Sequence, residues 1–190
     1  LTGTYLRIVR HFVFWMTVII TPLWYLLLQH AATLPPWLDF VVPADRGELP
    51  IIIQLFLTEF VLDGLKLASL NTPSTLSNSL SVVGGLLLGD FAVQVGWLCP
   101  DVILYMSFAA IANFTQSSYE LGYAFKYIRM LTLFLTWLAG GWGFALGLIC
   151  GVVLAATNKT ADGRRNYLYP LIPFNGSALA RLFFRLKKRD

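Results

Sequence analysis

Residues 6–29 run almost without a polar break, 80–98 form a second strongly apolar stretch, and 128–157 stay apolar for longer still. A transmembrane helix needs about 20 apolar residues, so these runs are long enough to cross a bilayer. A chain of 190 residues cannot hide several such helices from water in a core of its own. Charged residues make up 13% of the chain and the mean hydropathy is +0.67, whereas soluble domains carry about a quarter charged residues. Lipid is the solvent this sequence demands. The pattern predicts an all-α, polytopic helical membrane protein.

The first run holds Trp15, Trp24 and Tyr25, with Pro22 placed to kink it, and it exceeds the apolar core of a signal peptide. Residues 31–49, with Pro35, Pro36, Pro43 and the charges Asp39, Asp45, Arg46 and Glu48, read as a loop. Pro50 starts a helix, and 51–70 keeps helical period while setting Glu59, Asp63 and Lys66 on one face. That amphipathic segment lies at the interface, lines a polar cavity or crosses with its polar face toward a pore. Thr72 and Pro73 form a cap and first helical position ahead of 80–98; Cys99, Pro100 and Asp101 make a turn, and 102–114 returns across the membrane. Ser117 and Glu120 have capping-box spacing, the ordinary role for that glutamate. The run 128–157 exceeds a bilayer and must tilt, kink near Gly140 and Gly141, or project.

Residues 158–190 form a basic tail. Leu179, Leu182, Phe183 and Leu186 share a helical face, so Arg181, Arg185, Lys187 and Lys188 are candidates for contact with the membrane surface. Placed beside a membrane span, this charge reads as an orientation signal and an attraction to anionic lipid, not as a nucleic-acid site. The basic residues favour about four spans with both ends cytoplasmic, leaving Arg46, Lys66, Lys126 and Arg129 outside; counting 51–70 as a crossing reverses the bias. The division is a helical membrane domain over 1–157 and a cytoplasmic tail with an amphipathic helix over 158–190.

Little in the sequence points to catalysis or a cofactor. Cys99 and Cys150 have no CxxC partner, His11 and His30 stand far apart, and no HExxH, GxSxG or P-loop occurs. Asp90 is the exception to an apolar run: a lone carboxylate at mid-span costs at least about 2.5–3.5 kcal/mol on insertion scales. Helical spacing puts Ser79, Asp90, Gln94 and Trp97 on one stripe, facing water in a pore or a polar neighbour in a bundle. The plainer alternative pairs Asp90 with Lys66 to fix helix packing. Gly143, Gly147 and Gly151, flanked by Ala139 and Ala155, form a small-residue ridge, and Gly85, Gly89, Ala92 and Gly96 repeat the device. Such ridges let helices approach closely, within a subunit or between copies.

The stretch SLSVVGGLLLGDFAVQVGWLCPDVILYMSFAAIANF (79–114), followed by SYELGYAFKYIRM and NYLYPLIPFN in order, resembles the membrane region of the GerA-type spore germination proteins over nearly the whole chain. The Gly89–Asp90 step, the TPS at 72–74 and the YPLIPFN ending look most like the stage V sporulation branch. One departure is that Gln116 or Ser117 stands where a proline usually precedes SYEL. The resemblance implies an oligomer of the inner spore membrane, preceded by a cytoplasmic soluble domain, as a chain opening at Leu1 also suggests. It implies homo-oligomeric rings that pass ions during germination, working beside other germination membrane proteins. On that view Glu59, Asp63, Asp90 and Gln94 are pore-lining candidates, because acidic rings favour cations. A non-conducting scaffold and a secondary transporter are the alternatives, the second weakened by the lack of an inverted repeat.

Overall fold

The computed structural model describes residues 2–71, 84–85, 87–114 and 119–157, and every regular element among them is helical. The Thr72–Pro73 cap, Ser117 and the tail with Arg181, Arg185, Lys187 and Lys188 lie outside the described residues. Helix α1 (Thr2–Gln29) carries Pro22 in its interior. Two 3-10 turns, Ala31–Thr33 and Pro36–Val41, follow. Helix α2 is Ile51–Asn71, started by Pro50, whose carbonyl accepts from the amides of Ile53 and Gln54. A π-helical turn, Leu87–Phe91, runs into Ala92–Gln94. Helix α3 is Pro100–Phe114, with its proline at the first position, where a missing N–H is harmless. Helix α4 spans Tyr119–Thr157.

α4 is not one rod. Gly140 breaks it with φ +57° and ψ −132°, a conformation that glycine alone adopts cheaply. A Cβ built on Gly143 would collide with the Leu135 carbonyl, one on Gly147 would lie 2.6 Å from Thr132 Cα, and one on Gly151 would lie 2.6 Å from Ile128 Cγ2. Residues eight apart on a straight helix would stand about 12 Å apart along its axis. The chain therefore doubles back at Gly140, and limbs 119–139 and 141–157 form an antiparallel hairpin. The glycine ridge expected from the sequence is the inner seam of this hairpin, and the break expected near Gly140 is a full reversal. Gly85 and Gly89 differ: a Cβ on either meets nothing within 4 Å.

Side-chain contacts fix the helix directions. Arg129 reaches Thr17 and Gln29 reaches Thr136, so α1 runs parallel to the first limb of α4. Glu59 meets Arg129 while Lys66 faces Tyr123, so α2 runs antiparallel to that limb. Gly84 sits against Leu65, toward the end of α2, whereas Gly96 accepts from the Glu48 amide ahead of α2's start, so the intervening segment climbs back. α3 then descends beside α2, from Cys99 next to Gln54 to Asn113 next to Lys66. The starts of α1 and α2 thus lie at opposite ends of the bundle, and Thr2 and Thr157 lie at the same end.

The end holding the 31–49 loop is tied down by polar contacts. The Trp24 indole donates to the Val41 carbonyl at 2.9 Å; Gln54 donates to the carbonyls of Arg46 and Leu49 at 2.7 Å and accepts from the Cys99 amide at 2.8 Å. Gly47, at φ +66°, permits the close approach, since a Cβ there would stand 2.7 Å from the Gly96 carbonyl oxygen. Beneath this knot Trp24, Leu28, Leu55, Val102, Met106 and Leu133 form the apolar core, with Trp24 stacked on Tyr105 at 4.5 Å. The Trp24→Ala variant removes both the packing and the tether. A large-to-small change of this kind costs about 3–5 kcal/mol, visible as a lowered melting temperature of the detergent-solubilised protein.

Large apolar side chains cover the outside, among them Phe60, Leu104, Ile111, Trp142 and Ile149. That is the distribution expected of a bundle solvated by lipid. Ile8–Gln29 in α1 is long and apolar enough to cross a membrane, and so by length and composition is Gly122–Leu154 in α4, which the reversal at Gly140 divides between the two limbs of the hairpin.

Candidate functional site: a buried charge cluster

Residues four apart on a helix share a face, and α2 sets Glu59 and Asp63 one above the other, with Lys66 close by. The first limb of α4 offers Lys126 and Arg129 at the matching spacing. Arg129 Nη2 donates to Glu59 Oε2 at 2.5 Å, Lys126 Nζ lies 3.7 Å from Glu59 Oε1, and Lys126 also pairs with Asp63 Oδ2. Arg129 Nη1 donates to the Thr17 carbonyl oxygen on α1 at 3.3 Å. Glu59, Lys126 and Arg129 are all buried, at 5%, 4% and 3% exposure. One ion-pair cluster thus joins three helices.

At a rise of about 1.5 Å per residue, Arg129 lies roughly 16 Å from the Gly140 turn, a distance about half the thickness of a hydrocarbon layer of about 30 Å. Charges inside such a layer persist only where a counter-charge or water meets them. Below the ion pairs, Lys66 Nζ lies 6.0 Å from the centroid of the Tyr123 ring. The Asn113 amide, oriented to satisfy both its ends, accepts from Lys66 at 3.2 Å and donates to the Gly122 carbonyl at 3.1 Å. The buried hydroxyls of Thr17, Thr58, Thr132 and Thr136 each donate to the carbonyl one turn earlier, which satisfies them locally.

Of the four acidic or polar positions singled out in the sequence, Glu59 and Asp63 meet here and Asp90 and Gln94 do not. Asp90 lies on the π-helical turn with its side chain exposed, and Gln94 is exposed three residues after that turn ends. Among the described residues Asp90 forms no ion pair with Lys66, which is turned toward Tyr123 and Asn113. Lys126 and Arg129 are the members that the sequence reading left at a membrane edge. Their signal was present: two basic residues three apart share a helical face with Gly122, Phe125, Thr132, Leu133 and Thr136, all buried.

The cluster holds α1, α2 and the first limb of α4 together. Among the described residues no group of His, Cys, Asp or Glu is placed to hold a metal ion. Comparison with known proteins gives this arrangement its setting. A family model described as "Bacillus/Clostridium GerA spore germination protein" matches residues 1–190. The chain is 36% identical over 186 residues to stage V sporulation protein AF of Bacillus subtilis (strain 168), covering 98% of this chain and 37% of that protein. It is 26% identical over 188 residues to spore germination protein KA of the same organism, covering 97% and 34%. It is 27% identical over 158 residues to the uncharacterized membrane protein YfkQ, covering 82% and 30%. The chain thus spans between 30% and 37% of the length of these curated relatives. No solved structure matches it.

Proposed function

Since the chain belongs to the GerA family of spore germination proteins, we propose that it is a subunit of a homo-oligomeric ion channel of the inner spore membrane that passes ions during germination. The observation that carries this is the exposed face around Asp90. Gly85 and Gly89 leave open space for a neighbouring helix, and the carboxylate of Asp90 points out of its own bundle. In lipid a bare carboxylate is expensive. Set around a water-filled axis by several copies, it attracts cations. On this reading Asp90 and Gln94 line the pore, while Glu59 and Asp63 serve the bundle interior.

The helix directions support six passages: α1, α2, the segment around the π-helical turn, α3 and the two limbs of α4. The sequence count of about four omitted α2 and took 128–157 as one span; both counts put the two ends of 1–157 on one side. The basic tail at 158–190 makes that side cytoplasmic, with its amphipathic helix at the lipid surface. The assembly works with other germination membrane proteins.

Ion flux into vesicles containing the full-length protein tests this. Asp90→Asn is expected to lower cation flux severalfold while leaving assembly intact, and equal flux from variant and parent would remove Asp90 from the mechanism. One observation favours a second reading, a non-conducting scaffold: two of the four acidic or polar candidates are consumed by ion pairs within a single chain. Normal assembly with no flux from the parent protein would support the scaffold.

A further inference from the structure

Among the described residues two buried polar side-chain atoms have no hydrogen-bond partner: Asp63 Oδ1, on the Lys66 side of the Glu59–Arg129 pair, and Thr21 Oγ1, on the Trp24 side of it. Thr21 is only 1% exposed and lies one turn beyond Thr17, whose carbonyl Arg129 holds. Leaving such groups unsatisfied is costly, and in proteins the usual remedy is a buried water making about three hydrogen bonds. α2 packs closely on α3, as α1 does on both α3 and α4, but α2 meets α4 through long charged side chains instead of close backbone approach.

Exposure falls along this seam in one direction. The Asp63 side chain is 26% exposed, Glu59 one turn deeper is 7% exposed, and Arg129 is 4% exposed. Beyond them the seam ends against Trp24, Leu55, Met106 and Leu133 of the apolar core. Asn113, Lys66 and Tyr123 stand at the wider end, where Thr2 and Thr157 also lie.

We propose that α2 and the first limb of α4 enclose a water-filled vestibule within each protomer, open on the side of the membrane that holds both ends of the bundle and blind at its inner end. Asp63 lines the mouth, the Glu59–Arg129 pair lines the inner end, and water occupies the vacant valence of Asp63. The vestibule brings aqueous solvent to mid-membrane depth inside one subunit, apart from any axis between subunits. It depends on neither oligomer nor current, so it stands or falls separately from the channel reading.

Cysteine accessibility tests it in the full-length protein, reconstituted with Cys99 and Cys150 replaced by Ala. A membrane-impermeant methanethiosulfonate is added to one side at a time, the sides being identified by protease access to a tag after Asp190. Asp63→Cys is expected to lose its free thiol to reagent added on the tag side and to keep it against reagent on the other side. Leu133→Cys, in the apolar core, is expected to keep its thiol from both sides. Should Asp63→Cys fail to elute as a folded species, Asn113→Cys takes its place with the same expectations. A folded variant whose thiol at the mouth survives reagent from both sides means that the seam opens to lipid and overturns the proposal. Reaction from the opposite side, alone or equally, or modification of Leu133→Cys, overturns the blind end.

Discussion

Arg129→Leu is expected to destabilise the bundle by about 3–5 kcal/mol, the cost of breaking a buried ion pair by removing one partner. The magnitude comes from the carboxylate left behind. Glu59 is 5% exposed and loses the guanidinium at 2.5 Å, keeping only Lys126 at 3.7 Å, which Asp63 already shares. Ordinary interhelical hydrogen bonds in membranes are worth about 0.6 kcal/mol on average, so a loss of several kcal/mol would identify an orphaned charge and not a missing contact. The double variant Glu59→Leu with Arg129→Leu removes both charges and is expected to recover much of the loss, because apolar replacements for a buried pair are often neutral. Thermal unfolding of the parent, both single variants and the double in one detergent gives the coupling. Additive losses would show that the two residues act separately and that the cluster does not join α2 to α4.

The face of α2 that carries this cluster is legible in the sequence, since Glu59, Asp63 and Lys66 fall together at helical spacing within an apolar run. Its partners are not. Arg129 lies 70 residues away from Glu59, and nothing local says which helix face a basic residue near the start of an apolar run will meet. Counting Lys126 and Arg129 as flanking charges was the natural reading of a span starting at 128, and it placed them at a membrane edge. The buried neighbours at 122, 125, 132, 133 and 136 argue for an earlier start and an inward-facing stripe. The same limit governs the glycines. A four-residue spacing says that something comes close, but the partner depends on where the chain turns, and that is set by the positive φ of Gly140. An apolar run that contains two adjacent glycines and exceeds one bilayer by half is better read as two short helices than as one long one. Asp90 was visible as an oddity, yet its exposure follows from a π-helical turn that composition does not announce.

The two glycine ridges give opposite expectations for the same substitution, and that contrast is the sharper test of how this chain assembles. Gly147→Leu places a side chain where a Cβ already lies 2.6 Å from Thr132 Cα and 2.8 Å from its Oγ1. The nearest obstacle is backbone, so the limbs of the hairpin must separate along their length. Overpacking a tight core costs about 1–3 kcal/mol even where side chains can adjust, and here the helix axis itself has to move, so loss of a folded monomer is expected. Gly85→Leu and Gly89→Leu meet open space within the chain, and leaving glycine inside a helix removes a penalty of about 1 kcal/mol. The monomer is therefore expected to keep its melting temperature. If copies pack through this face, as proposed for the ring around Asp90, the added bulk pushes the neighbouring helix away. The detergent-solubilised full-length assembly should then shift to smaller mass in size-exclusion with light scattering. An assembly of unchanged mass in both Gly85→Leu and Gly89→Leu would place the contact between copies elsewhere, and a folded Gly147→Leu would mean that 141–157 does not return along 119–139.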